Sequence, residues 1–332
     1  MENLIFSLNA TIPVFLTMLL GMLFRKTGLF GETFAQNLNK FVFKAALPAL
    51  LFQDIATADF YQVWDTRFVV FCFAVTFLSI CLAGALSLSM KDRSRRGEFI
   101  QASYRSSAAI LGIAFIQNIY GNAGMAPLMI ISSVPLYNVM AVIVLSVTSP
   151  KADPAIQQAH GGAYPPASRH FGMNWLLLRK TFLGILTNPI ILGILTGLLW
   201  SVLRLPMPGI LMKPLSNLAV LATPLGLMSM GASFNLKKAL TGIRPVLLSC
   251  ALKLVVLAAL FLPAAVSLGF RDSSLIAILV MLGSPTTVTC YIMAKNMGHE
   301  GTFSSMAIML TTLLSAFTLT GWLYLLRTLS FI

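Results

Sequence analysis

Acidic residues are scarce. Ten Asp and Glu stand against 23 Lys and Arg, and charged residues of both signs make up only 10% of the 332 positions. About a quarter of a soluble domain is charged, so this shortage excludes an ordinary soluble chain. No Asp or Glu lies deep in an apolar stretch, Asp54 falling near the outer end of one. That disfavours proton exchange through a buried carboxylate. Histidine is nearly missing: His160, His170 and His299 all fall in connecting segments. The four cysteines, Cys72, Cys81, Cys250 and Cys290, sit inside apolar runs without metal-ligand spacing and read as free thiols. There is no His/Asp/Glu cluster, no nucleophile beside a base and no phosphate-cradling glycine loop, which argues against an enzyme. A basic leader is absent too, since Glu2 is the sole charge before Arg25. The first apolar stretch therefore reads as a retained span, not a cleaved signal.

What fills the chain instead is apolar: 57% hydrophobic residues and a mean hydropathy of +0.85. Crossing the hydrocarbon core takes about 20 mostly apolar residues. Ten stretches qualify, at 4–24, 34–56, 67–89, 98–119, 125–148, 181–203, 210–234, 245–269, 274–296 and 303–327. The long connection 149–180, rich in Pro, Gly, Ala and Ser, reads as a flexible linker. The net charge of +13 fits loops on the cytoplasmic side better than nucleic-acid binding. With the amino terminus outside, the inner loops hold fourteen Lys and Arg and the outer loops and ends five (Arg67, Arg204, Lys213, Arg271 and Arg327). Both termini are thus expected outside and the linker in the cytoplasm.

Pro13, Gly21 and Pro48 recur as Pro189, Gly197 and Pro224, each 176 positions later, with IPVFLTMLLGMLF matching NPIILGILTGLLW. An offset of five helices, an odd number, inserts the second copy upside down. The expected fold class is an all-α integral membrane protein of two inverted five-helix repeats, 1–148 and 181–332.

The fourth stretch carries Arg105, Ser103, Ser106, Ser107 and Gly112; the ninth carries Gly283, Ser284, Pro285, Thr286, Thr287 and Thr289. Small residues of this kind often do no more than let helices pack closely. Pro285, however, removes a backbone donor and breaks or kinks its helix near mid-membrane. Backbone groups freed at that depth need protein, water or a ligand as partner. The paired occurrence favours a binding site at Arg105, Ser106, Ser107, Ser284, Pro285, Thr286 and Thr287. In the fifth stretch Tyr137 and Asn138 are further candidates, with an interhelical hydrogen bond as the alternative for the amide. Pro48, Gly112, Pro224 and Pro285 are the expected breaks or hinges. Lys40, Lys44 and Lys253 lie within spans but in their inner halves, where long side chains snorkel to the interface. Arg105 is the exception and is placed to attract an anion.

The segments KFVFKAALPALLF (40–52), VPLYNVMAVIVL (134–145), TPLGLMSMGASF (223–234) and GSPTTVTCYIMAKNMG (283–298) resemble the auxin efflux carrier family. The resemblance covers nearly the whole chain outside the linker. It implies a crossover fold akin to bile-acid symporters, with crossed, broken helices 4 and 9. Helices 1, 2, 6 and 7 would form a scaffold that commonly dimerises; helices 3–5 and 8–10 would form the transport unit. Ser107 stands where relatives often have asparagine, which weakens any transfer of auxin specificity. Ala114 replaces a frequent proline, implying a straighter fourth helix.

The expected function is a secondary transporter of a small organic anion, such as malate, malonate or an auxin-like acid, by elevator-type alternating access. No cofactor is expected; sodium held by carbonyls and hydroxyls is open as a coupling ion. A homodimer in a bacterial inner membrane follows from the same resemblance. An ion channel and a non-transporting ligand sensor are the alternatives.

Overall fold

The computed structural model describes residues 2–57, 64–108, 116, 119, 124–149, 187–234 and 243–332. The expected hinge Gly112, Ala114 and the linker beyond Ser149 lie outside them. All regular structure among the described residues is helical.

Helix α1 (Glu2–Lys26) leads to α2 (Glu32–Phe41), which runs through a π-helical segment, Val42–Ala46, into α3 (Leu47–Ala56). Pro48 was expected to interrupt this span and does not. The π turn lets the Leu47 N–H reach back to the Val42 carbonyl, and the helix continues past the proline. Helix α4 (Thr66–Leu88) starts at Asp65, whose carboxylate accepts from the Arg67 N–H at 2.9 Å and the Phe68 N–H at 3.2 Å. It is followed by α5 (Arg96–Tyr104) and α6 (Ala126–Val147). Helix α7 (Pro189–Val202) begins with proline in its first turn behind an Asn188 cap. Next come α8 (Gly209–Val220) and α9 (Ala222–Ser233), which meet at a step at Leu221. Pro224 explains that step, because it has no N–H to return to the Val220 carbonyl.

Helix α10 (Ile243–Ala251) passes through a second π segment, Leu252–Val256, into α11 (Leu257–Ser267). Helices α12 (Asp272–Gly283), α13 (Thr289–Asn296) and α14 (Thr302–Thr328) complete the chain. By length and composition, Thr66–Leu88, Ala126–Val147, Gly209–Ser233, Ile243–Ser267 and Thr302–Thr328 can each cross a membrane. Pro189–Val202 and Asp272–Gly283 are apolar but shorter. Helix α4 illustrates the environment: Phe68, Cys72, Val75 and Ala83 are buried, while Val70, Phe73, Phe77 and Leu78 point outward. A helix apolar on both faces is solvated by protein on one side and acyl chains on the other. The protein is a multi-pass membrane protein.

Two sets of helices pack differently. In one, α1 lies on α9 and α7 on α3, at main-chain contact. A Cβ at Gly21 would enter the Met228 backbone, and one at Gly197 would meet the Phe52 backbone at 3.0 Å. Gly231 stands equally close to Met18, and Gly193 to Pro48. Small residues allow this approach, and larger ones would separate the pairs. In the other set, α4 packs on α5 and α6, and α10 and α11 pack on α14 and α12.

One long-range cap joins the second set. The buried Glu98 carboxylate of α5 accepts from the Gly301 N–H at 2.9 Å and the Ser304 N–H at 2.8 Å, at the amino end of α14. Those donors have no partner within their own helix, and the local dipole favours an anion there.

Candidate functional site

The site is assembled where two helices stop short. Helix α5 ends at Tyr104, and Arg105 is extended (φ −74°, ψ 127°). Helix α12 ends at Gly283, and Ser284 is extended (φ −73°, ψ 159°). The two breaks meet as an antiparallel bridge between Ser106 and Thr286. The Ser107 N–H donates to the Pro285 carbonyl at 2.9 Å.

Each break leaves carbonyls without a helical donor, and these are taken up by the opposite strand and by side chains of neighbouring helices. Pro285 has no N–H for Met281, four residues earlier. The Met281 carbonyl instead accepts from the Ser106 hydroxyl, and from the Tyr137 hydroxyl at 3.2 Å. The Thr286 N–H turns to the Thr311 hydroxyl at 3.0 Å, which frees the Leu282 carbonyl. Lys253 fills that gap: its ammonium donates to Leu282 O and to Ser106 Oγ, with Met281 O at 3.5 Å. On the other helix, the Ala102 carbonyl loses its donor at the break and accepts from the Thr286 hydroxyl at 2.8 Å. Gln101 adds a bond from Nε2 to the Cys290 carbonyl at 2.9 Å. Such replacement partners are what buried main chain requires where helices break.

Beside the crossing lies a cavity enclosing about 650 Å³ of empty space, its open mouth included. One wall comes from the breaks and α6: Arg105, Ser106, Ser107, Tyr137, Asn138, Thr287 and Thr289. The other wall comes from Leu47, Leu50, Leu51 and Asp54 of α3 and from Ala222 and Thr223 at the start of α9. Of the expected site residues, Arg105, Ser106, Ser107, Tyr137, Asn138 and Thr287 meet here. Ser284, Pro285 and Thr286 do not line the cavity; they build the crossing behind it. Pro48 and Pro224 sit next to the lining residues Leu47 and Thr223.

Arg105 is the dominant charge of the site, at 2% exposure. Its Nη2 donates to Asn138 Oδ1 at 2.7 Å and Thr289 Oγ1 at 2.8 Å, and its Nη1 to the Met293 sulfur at 2.9 Å. Its Nε–H is buried with no acceptor. Among the described residues no carboxylate forms an ion pair with the guanidinium. Asn138 accepts from Arg105 and also lies on the cavity wall.

Two expectations need correction. Lys40 and Lys44 are exposed, but Lys253 does not snorkel; it is fully buried at the crossing. Depth along a helix does not reveal which face a residue takes, and the π segment turns this one inward. Asp54, set aside as peripheral, lines the cavity. The spacing Leu47, Leu50, Leu51, Asp54 is one helical face, and it was the signal available for finding it.

Irregular backbone inside an apolar bundle is tolerated where it lines a cavity for a passenger, and such a cavity between broken helices defines a membrane transporter. The chain belongs to the membrane transport protein family, whose match extends over residues 6–323. This is the auxin efflux carrier-type family that its sequence motifs resemble, a family of transporters and not of enzymes. A relative from Rhizobium meliloti (strain 1021), named "Putative malonate transporter", is 26% identical over 306 residues, 87% of this chain and 86% of that protein.

Proposed function

We propose that the protein is a secondary carrier of a small dicarboxylate, malonate or malate in size and charge, working by elevator-type alternating access. The observation that carries this reading is Arg105: a buried guanidinium on the cavity wall, with a free Nε–H and no acidic partner among the described residues. A buried charge in such surroundings requires a counterion, and a carboxylate matches the guanidinium fork. The hydroxyls of Ser107, Thr287 and Thr289 complete a surface for an oxygen-rich ligand. The name of the Rhizobium relative supports the dicarboxylate class.

The architecture we infer is ten spans in two inverted repeats, with both termini outside a bacterial inner membrane. Reciprocal contacts support the repeat: Gly197 lies 176 positions after Gly21, and Met228 lies 176 after Phe52, so these two main-chain approaches map onto each other. Helices α1, α2–α3, α7 and α8–α9 make the scaffold, which dimerises; the crossing and the helices around it make the moving unit. The close packing of α1 on α9 and of α7 on α3 supports this partition, with the cavity between α3 and the crossing; α1 also packs on α14, a contact that movement would have to slide or break.

The test is uptake of radiolabelled malonate and malate into proteoliposomes, with unlabelled substrate preloaded. A carrier gives saturable uptake accelerated by counterflow, and Ser107→Leu abolishes it while the protein still purifies as a monodisperse species. Unitary current steps in planar bilayers, or normal flux in the Ser107→Leu protein, would overturn the reading.

A further inference from the structure

We infer that Lys253 is a built-in cation: its tethered ammonium fills the carbonyl-and-hydroxyl cage at the helix crossing, so the protein takes no sodium there. This goes beyond the carrier reading and bears on the coupling ion that reading leaves open.

The cage is made by the broken helix itself. Helix α12 ends with its last carbonyls unpaired, the partially negative end of the helix dipole. The two carbonyls released by Pro285 and Thr286, those of Met281 and Leu282, point to one spot, and the Ser106 hydroxyl comes from the opposite strand. Carbonyls at the ends of unwound half-helices, joined by hydroxyls, are the donor set that holds alkali cations in membrane carriers. Here the spot is taken by nitrogen. Lys253 is 0% exposed, and its Nζ reaches all three oxygens.

The hydrogen-bond inventory suits the charged form. An ammonium has three donors and no acceptor, and a carbonyl only accepts. Ser106 uses its own proton on Met281 O, so its oxygen faces Lys253 as an acceptor. Three acceptors therefore meet three N–H groups, whereas a neutral amine has only two and would need the Ser106 hydroxyl to turn from Met281 O and donate to Nζ. No carboxylate among the described residues lies within ion-pair distance, so dipoles alone hold the charge. The backbone is shaped for it, because Lys253 sits in the π segment Leu252–Val256, whose widened turn also gives the Leu254 carbonyl to the Trp322 indole N–H at 3.1 Å.

A substrate-free experiment tests this: thermal unfolding of the purified full-length protein, read by tryptophan fluorescence, in sodium chloride against choline chloride. The wild-type midpoint is expected to be the same in both salts. Lys253→Ala is expected to unfold at lower temperature and to recover, saturably, with n-propylammonium, which restores the lost Cγ–Nζ atoms. Tetramethylammonium, a cation without N–H, should not restore it. Lys253→Met, which keeps the bulk and removes the donors, should melt low and stay unresponsive to propylammonium. A wild-type midpoint raised by sodium overturns the inference. So does a Lys253→Met protein as stable as the wild type, or a Lys253→Ala protein indifferent to propylammonium. Absence of malonate flux in the wild type would instead sink the carrier reading and leave these melts untouched.

Discussion

Arg105 offers the sharpest energetic test of the proposed anion site. Its Nη2 is committed to Asn138 and Thr289, and its Nη1 to a sulfur, a weak acceptor, while Nε–H has nothing. A bound carboxylate gains at least one charge-assisted bond from Nε–H, of about 1.5–3 kcal/mol. Arg105→Lys keeps the charge and loses that donor, so malonate should bind about 10- to 150-fold more weakly. Arg105→Gln removes the charge as well and leaves the buried anion unpaired. Truncating one partner of a buried charge pair takes roughly 2–5 kcal/mol, about 30- to several-thousand-fold in Kd. Scintillation-proximity binding of radiolabelled malonate to the purified proteins measures both, with thermal unfolding as the control for folding. A graded loss, Lys before Gln, is the expected order. Arg105→Gln protein that folds normally and binds malonate within threefold of wild type would refute the assignment.

Glu98→Ala deprives two amino-terminal N–H groups of α14 of their acceptor and should destabilise by about 2–4 kcal/mol, with Glu98→Gln intermediate, as read by thermal unfolding. Gly21→Val and Gly231→Val should each force α1 away from α9 and lower stability by about 1–3 kcal/mol or more. Gly84→Ala, with open space around its Cβ, should leave the melting point unchanged or slightly raised. Pro285→Ala returns an N–H that competes with Ser106 and Tyr137 for the Met281 carbonyl. Malonate flux should fall in that variant although no cavity-lining side chain has changed.

Apolar length made the helices readable, because lipid leaves long runs of one composition, and Pro285 announced its break by the donor it lacks. The break after Tyr104 carries no proline, and only the Ser106–Ser107 pair hinted at it. Lys253 was harder still. Hydropathy reports how deep a residue lies but not which way it faces, and a π segment alters the facing without leaving a mark in composition. Glu98 caps a helix about 200 residues further along, so nothing local betrays the partnership. Asp54 was legible in principle from the face it shares with Leu47, Leu50 and Leu51, a periodicity that its position near a span end does not reveal.

Where glycine brings one backbone onto another, no side chain is left to act as a bearing. Pairs seated at Gly21 and Met228, or at Gly197 and Phe52, cannot slide past each other without parting first. In the elevator mechanism proposed here, shape change is therefore directed elsewhere, to the seam whose two banks are Asp54 with its leucine neighbours and Arg105 with its hydroxyls. A passenger held mainly by the arginine bank would leave with that bank, shedding the aspartate bank on the way.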